Sequence, residues 1–219
     1  MPRPPQETTA WVASIIAQKT DVSGTEVTSP STFRVNRKAL PPFEALVLSL
    51  SEVTDSIFIP LLAAYPRVAF VVNVPKEGLW AQSGIAAARS RGLAFGGIGD
   101  LMSAISHKLE DVSEYKKSEN AFVERGLSQH DHVSHFEQES DRVYMVFRFG
   151  LDPLRIVLLN EYELTAEHVR NARSRYGSFD IILMTNPNGS ATTEAKEAAR
   201  GMRVPILPWR QFLGRLSSE

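Results

Sequence analysis

The stretch that decides the fold is Phe179–Leu216, FDIILMTNPNGSATTEAKEAARGMRVPILPWRQFLGRL. Its first apolar run predicts a buried strand, TNPNG predicts a loop, and the Ala-rich segment after it predicts a helix. VPIL and WRQFLGRL then predict a short strand and a final helix. This order of elements is typical of the closing half of an α/β domain.

The same order occurs earlier in the chain, in residues 68–105, at a constant shift of 111 residues and without a gap. Identical residues recur at that shift along most of the chain, among them the pairs Tyr65/Tyr176 and Gly78/Gly189. A register that is kept through the loops indicates an internal duplication. We therefore predict an α/β protein of two tandem mixed-sheet repeats, residues 1–110 and 111–219. A pseudo-two-fold axis is expected to relate them, as in a homodimer fused into one chain.

Each repeat is predicted to have the order α-β-β-β-α-β-α-β-α. The first three strands form a meander, and the later strands enter through helical crossovers. Residues 150–153, GLDP, predict a turn before a strand at 155–159. The charged residues 109–119 are interpreted as a linker or as the tail of the preceding helix.

Composition excludes several classes of protein and of site. The chain of 219 residues contains no cysteine, which excludes disulfides, thiolate catalysis and zinc–thiolate sites, and favours a cytoplasmic location. No apolar run approaches the roughly 20 residues of a membrane helix, and MPRPPQETT at the start lacks the apolar centre of a secretory signal. We therefore expect no membrane partner.

Charge is nearly balanced along the chain. The net charge is −1, with 10 Lys and Arg against 9 Asp and Glu in residues 1–110, and 14 against 16 in residues 111–219. Neither repeat is basic as a whole, so contact with nucleic acid would need a local basic face.

The order of elements in each repeat resembles the restriction-endonuclease-like fold, in particular its Mrr-type branch. The resemblance is clearest in MTNPNGSATTEAKEAARGMRVPIL, and it covers nearly the whole of each repeat by pattern rather than by diagnostic residues. It implies a nuclease site with an Asp at the start of the second strand and an acid-x-Lys at the end of the third. In such a site the acids hold a divalent cation and the Lys positions the attacking water.

Both repeats depart from that nuclease pattern. In the second repeat Asp141 occupies the position of the Asp, but Leu158 and Asn160 occupy those of the acid and the Lys. Glu161 and Glu163 follow the strand and are candidates for displaced ligands. In the first repeat Pro30 stands opposite Asp141, and Leu48 and Leu50 are central in the third strand. A catalytic set would therefore consist of Asp141, Glu161 and Glu163, with Mg²⁺ as its cofactor; otherwise no cofactor is expected.

Two further groups of residues are candidates for binding. Ligands of α/β proteins bind beyond the carboxyl ends of parallel strands, where the loops NVPKEG and TNPNGS are predicted, although turn chemistry explains the same residues. A phosphate-binding strip is the second candidate, with a solvated helix face as its alternative. The candidate ligand-binding residues are Asn73, Lys76, Asn186 and Asn188, and the candidate nucleic-acid-binding residues are Arg34, Arg37, Lys38, Arg170 and Arg173.

The resemblance and the departures from it lead to one function and two alternatives. We expect a non-catalytic interaction or scaffold protein in DNA processing or defence, with a protein partner and with DNA as a further partner. One alternative is a metal-dependent nuclease with a migrated site in the second repeat. The other is a module that senses a small molecule or nucleotide.

Overall fold

The computed structural model describes residues 4–218, and the chain divides between Lys117 and Ser118 into two units. This division lies somewhat later in the chain than the predicted one, between residues 110 and 111. Residues just before the observed division pack into the core of the first unit: Val112 is buried, and the ring centroid of Tyr115 lies 5.9 Å from that of Phe70. The segment interpreted as a linker is therefore part of the first unit up to Lys117.

The first unit is a five-stranded mixed sheet with helices on both faces. The strand order is β1-β2-β3-β5-β7; the first three strands are antiparallel and the rest are parallel. A separate two-stranded sheet pairs β4 with β6. The elements are α1 Pro5–Ile16, β1 Val22–Val27, β2 Thr32–Arg37, β3 Phe43–Leu48, β4 Glu52–Val53, α2 Asp55–Ala64, β5 Val68–Asn73, β6 Leu79–Trp80, α3 Gln82–Ser90, β7 Ala94–Gly96, α4 Ile98–Ser106 and a 3-10 turn at Val112–Glu114.

The second unit repeats this architecture. Its strand order is β8-β9-β10-β12-β14, again with an antiparallel meander followed by parallel strands, and β11 pairs with β13. The elements are α5 Ser118–Ser128, β8 Val133–Gln138, β9 Val143–Arg148, β10 Leu151–Leu159, β11 Glu163–Leu164, α6 Ala166–Tyr176, β12 Ile181–Met184, β13 Ser190–Ala191, α7 Thr193–Gly201, β14 Ile206–Pro208 and α8 Trp209–Leu216.

The shift of 111 residues relates the two units element by element. β1 and β8, β2 and β9, and α3 and α7 have the same bounds at that shift. Strand register is preserved as well, because Glu52 pairs with Leu79 in the first unit and Glu163 with Ser190 in the second. The prediction of an α/β fold made of two tandem repeats is confirmed.

Each sheet is covered on both faces by apolar side chains. In the first unit α1 and α4 pack on one face, and α2 and α3 pack on the other. In the second unit α5 and α8 pack on one face, and α6 and α7 on the other. Strands that are covered on both sides need nearly continuous apolar runs, which is why VAFVVN and IILM have this composition.

The predicted turn at 150–153 is largely strand. β10 begins at Leu151, and its register with β9 shifts between Leu151 and Leu154. Pro153 lies in this irregular part, where a strand tolerates a residue without a backbone N–H. Only Phe149 and Gly150 form the turn, with Gly150 at a φ of 70°.

One buried arginine occupies the same position in each unit. Arg37 donates from Nε to the carbonyl oxygen of Pro41 at 2.7 Å, and its two terminal nitrogens donate to the carbonyls of Leu109 and Glu110. Arg37 is only 8% exposed, and burial lowers the pKa of its guanidinium. It was predicted to belong to a surface phosphate strip, but its donors are taken up by backbone carbonyls inside the unit.

Arg148 makes the corresponding contacts in the second unit. Its Nε and a terminal nitrogen donate to the carbonyl of Asp152 at 2.8 and 2.7 Å. The other terminal nitrogen donates to the carbonyls of Ser218 at 2.8 Å and Arg215 at 3.2 Å. In the first unit, therefore, a guanidinium joins β2 to the chain after α4, and in the second unit a guanidinium joins β9 to the last turn of α8 and to Ser218 after it.

Candidate functional site

A group of charged and polar side chains lies around the turn between β8 and β9 of the second unit, which stands at the carboxyl end of β10. Glu119 stands in the first turn of α5, and Asp141 and Arg142 form the turn between β8 and β9. The Leu158 N–H at the end of β10 donates to the Arg142 carbonyl at 2.8 Å, which fixes that turn at this end of the strand. We call the group the carboxyl-edge cluster; its members are Glu119, Asp141, Arg142, Arg175, Tyr176 and Thr185.

Glu119 is the most buried of the four charged side chains of the cluster. Its side chain is 4% exposed. The Thr185 hydroxyl donates to Glu119 Oε1 at 2.5 Å, and Arg142 lies 3.9 Å from the same oxygen. A carboxylate inside a protein needs such donors, since burial alone strongly disfavours its charge. Its place in the first turn of a helix favours the negative charge as well.

Asp141 forms the second ionic contact of the cluster. Arg175 approaches Asp141 Oδ2 to 3.6 Å, and the Tyr176 hydroxyl donates to the same oxygen at 3.3 Å. Burial, and then the carboxylate of Asp141, raise the pKa of Tyr176, so its phenol stays protonated and remains a donor. Each acid of the cluster thus has an arginine and a hydroxyl beside it.

Two buried polar atoms next to the cluster have no hydrogen-bond partner among the described residues, namely Asn120 Oδ1 and Ser140 Oγ. The serine of the first unit at the same position, Ser29, differs. Its hydroxyl lies 2.7 Å from that of Thr32 and accepts from the Thr32 N–H at 3.1 Å. Val143 replaces Thr32 in the second unit and provides no hydroxyl. Buried polar atoms without hydrogen-bond partners are rare, and each lowers the free energy of unfolding. These two atoms therefore destabilise the second unit.

The first unit has no ionic cluster at the corresponding positions. Residues at the shift of 111 are neutral, although one backbone link is preserved: the side chain of Thr9 donates to the Pro30 carbonyl, as that of Asn120 does to the Asp141 carbonyl. The cluster is therefore specific to the second repeat. Its counterparts in the first repeat are Thr8, Pro30, Ser31, Ala64, Tyr65 and Val74.

The predicted nuclease set is not assembled as a metal centre. Within residues 4–218 no three His, Asp or Glu side chains are grouped so that they would hold a metal ion, so Asp141, Glu161 and Glu163 do not form such a group. Glu161 lies in the loop after β10, and Glu163 is exposed in β11.

The positions of the expected acid-x-Lys have different environments. Leu158 is fully buried in the core beneath α5 and α8, whereas Asn160 is exposed after the strand ends. Leu158 has no atom that binds a metal, and Asn160 is not the lysine that positions water.

The predicted ligand-binding asparagines bind the backbone of their own unit. Asn73 is 4% exposed; its side-chain oxygen accepts from the Leu50 N–H, and its amide donates to the Leu50 carbonyl, both at 3.0 Å. Asn186 is also buried, and its side-chain oxygen accepts from the Asn188 N–H at 3.0 Å. Lys76 and the side chain of Asn188 are exposed. The geometry of the two asparagines is that of turn-stabilising residues.

The glycine shared by these two loops allows a close approach of backbone to backbone. A Cβ on Gly189 would lie 2.5 Å from the Glu161 carbonyl oxygen, and one on Gly78 would lie 2.9 Å from that of Leu50. The next residue in each loop begins the short strand that pairs with β4 or β11. Both repeats therefore have glycine at this position because the loop needs it in order to fold.

Of the predicted basic residues, four retain surface positions. Arg34 pairs with Glu44 at 3.5 Å, and Lys38 is exposed after β2. Arg170 and Arg173 are exposed on α6, and the Arg173 guanidinium lies 6.0 Å from the ring centroid of Phe179. These two arginines form the part of the predicted phosphate strip that lies on the second unit.

Sequence reasoning missed Glu119, Arg142 and Thr185, which are far apart in the chain and share no local pattern. It also missed Arg148, although Arg37 and Arg148 are identical at the shift of 111.

No protein-family model, curated protein or solved structure matches the chain. Among residues 4–218 no helix combines the length and apolar character that crossing a membrane requires.

Proposed function

We propose that the chain is a non-catalytic interaction or scaffold protein of DNA processing or defence, built from two restriction-endonuclease-like units with degenerate sites. One observation carries the proposal: the two acids of the carboxyl-edge cluster, Glu119 and Asp141, each have an arginine beside them. In a nuclease of the type that the sequence resembles, a divalent cation neutralises such acids. Here guanidinium groups supply the positive charge.

The third strand supports the same proposal. A catalytic lysine or acid at Leu158 would have to enter an apolar core, and the first unit has an equally apolar residue, Val47, at this position. Two copies of one unit that both lack the catalytic residues are consistent with a role in binding rather than in hydrolysis.

DNA contact is expected to involve the arginines of α6. In a gel-shift experiment with duplex and single-stranded DNA, the double variant Arg170→Glu/Arg173→Glu should weaken binding, because two phosphate contacts are lost. The dependence of log affinity on log salt should become shallower by about 2. Arg91→Glu, the same charge reversal at a single exposed position outside the predicted strip, is the control.

The outcomes of this titration separate the two parts of the proposal. Binding that the α6 variant weakens and the Arg91 variant preserves would support a DNA-associated role. An absence of binding by the unmodified chain even at low salt would contradict that role. The proposal would then be limited to protein partners.

A further inference from the structure

The helical layer formed by α2 and α3 in the first unit is almost uncharged. Within these two helices only Asp55 and Arg89 are charged. The equivalent layer of the second unit has eight Asp, Glu, Lys and Arg residues. They are Glu167, Arg170, Arg173, Arg175, Glu194, Lys196, Glu197 and Arg200.

The outer side of α2 exposes large apolar side chains. Ile57 is 45% exposed and Ile59 is 43% exposed, although Phe58 and Leu62 already attach the helix to the core. The exposed face continues with small and apolar residues on both helices. These are Pro60, Ala63, Ala64 and Ala86.

The second unit serves as an internal control for this face. At the positions of Ile57 and Ile59 it has His168 and Arg170, on a helix that packs against the same kind of sheet. The fold therefore does not require apolar residues on the outer side of this helix. An apolar patch that the architecture does not need is typical of a surface that binds another protein.

We propose that the α2/α3 layer binds a second copy of the chain through a two-fold, antiparallel packing of α2 against α2. The charges at the two ends of the helix favour this partner. Asp55 stands at the first residue of α2, and exposed Arg67 lies just beyond its last residue. Antiparallel packing places each Asp55 opposite the partner subunit's Arg67, with only uncharged residues between the two ion pairs.

The face is small for a protein–protein interface. A helix of 10 residues is about 15 Å long, and two such helices about 10 Å apart present roughly 300 Å². A standard interface buries about 800 Å² on each partner. The dimer is therefore weak and reversible, and its population depends on protein concentration.

Sedimentation equilibrium of the full chain over a range of concentrations tests the proposal. The unmodified chain should show a reversible monomer–dimer equilibrium. Ile59→Arg, which introduces the residue that the second unit has at this position, should weaken association by about a hundredfold, because a two-fold interface contains the change twice and each copy is expected to cost about tenfold. Arg170→Glu is the matched control and should leave the equilibrium unchanged.

Charge exchange tests the antiparallel arrangement itself. Asp55→Arg and Arg67→Asp should each weaken the dimer, and the double variant should restore it. A chain that is monomeric at every concentration, or a dimer that Ile59→Arg does not affect, would overturn the proposal and leave the face to a different protein. Additive weakening in the double variant would overturn the antiparallel packing. Unchanged circular dichroism and thermal melting confirm that each variant is folded.

Discussion

Replacing Arg148 with methionine is expected to lower the free energy of unfolding of the second unit by about 2–4 kcal/mol. The substitution keeps much of the aliphatic volume but removes four hydrogen bonds from a charged donor to carbonyls, each of which contributes roughly 1.5–3 kcal/mol before relaxation. Arg37→Met should have a similar effect on the first unit. Since a chain of two units has no single free energy of unfolding, native-state hydrogen exchange should be followed separately in β2 and β9.

Arg200→Met is the matched control, because Arg200 is exposed on α7. It should change stability by no more than about 0.5 kcal/mol. Faster exchange confined to the unit that carries the substitution is the expected pattern. Equal acceleration in both units, or no change with Arg148→Met, would contradict the role assigned to the buried arginines.

Leu158→Ala is expected to destabilise the second unit by about 2–5 kcal/mol, because the side chain is fully buried between β10 and helices α5 and α8. Leu158→Glu, which introduces the acid that the resemblance places here, should cost more, since it also buries a carboxyl group among apolar residues. Urea denaturation monitored with hydrogen exchange in β10 and β12 measures both effects.

Asn160→Lys provides the control for the other position of the expected acid-x-Lys. Asn160 is exposed, so this change should alter stability by less than about 0.5 kcal/mol. A Leu158→Glu variant as stable as the unmodified chain would show that the position accepts an acid, and would contradict the view that it has become part of the core.

Much of the fold was predictable because its signals are local or repeated. The run VAFVVN predicted a strand with the bounds that β5 has, and the pattern of 166–176 predicted α6. The constant shift of 111 residues then predicted the second unit from the first. The short strands β4 and β11 were missed, because two residues contain no periodic pattern and their pairing depends on the close approach at Gly78 and Gly189.

The candidate site was much less predictable. Asp141 was identified as a polar residue at the start of a strand, but its neighbours come from distant parts of the chain: Arg175 and Tyr176 from the end of α6, and Glu119 from a segment interpreted as a linker. Only the tertiary fold brings them together. Arg37 was predicted to be on the surface because a sequence does not distinguish an arginine bound to carbonyls from a solvated one.

Incubation of the purified full chain with duplex and single-stranded DNA in Mg²⁺ and in Mn²⁺ tests whether the chain is a nuclease. We expect no cleavage above the level of a matched Asp141→Ala preparation, because arginines stand beside Glu119 and Asp141 and the third strand contributes neither acid nor lysine. Cleavage that requires the metal and disappears in Asp141→Ala would contradict a non-catalytic role and establish a nuclease site in the second unit.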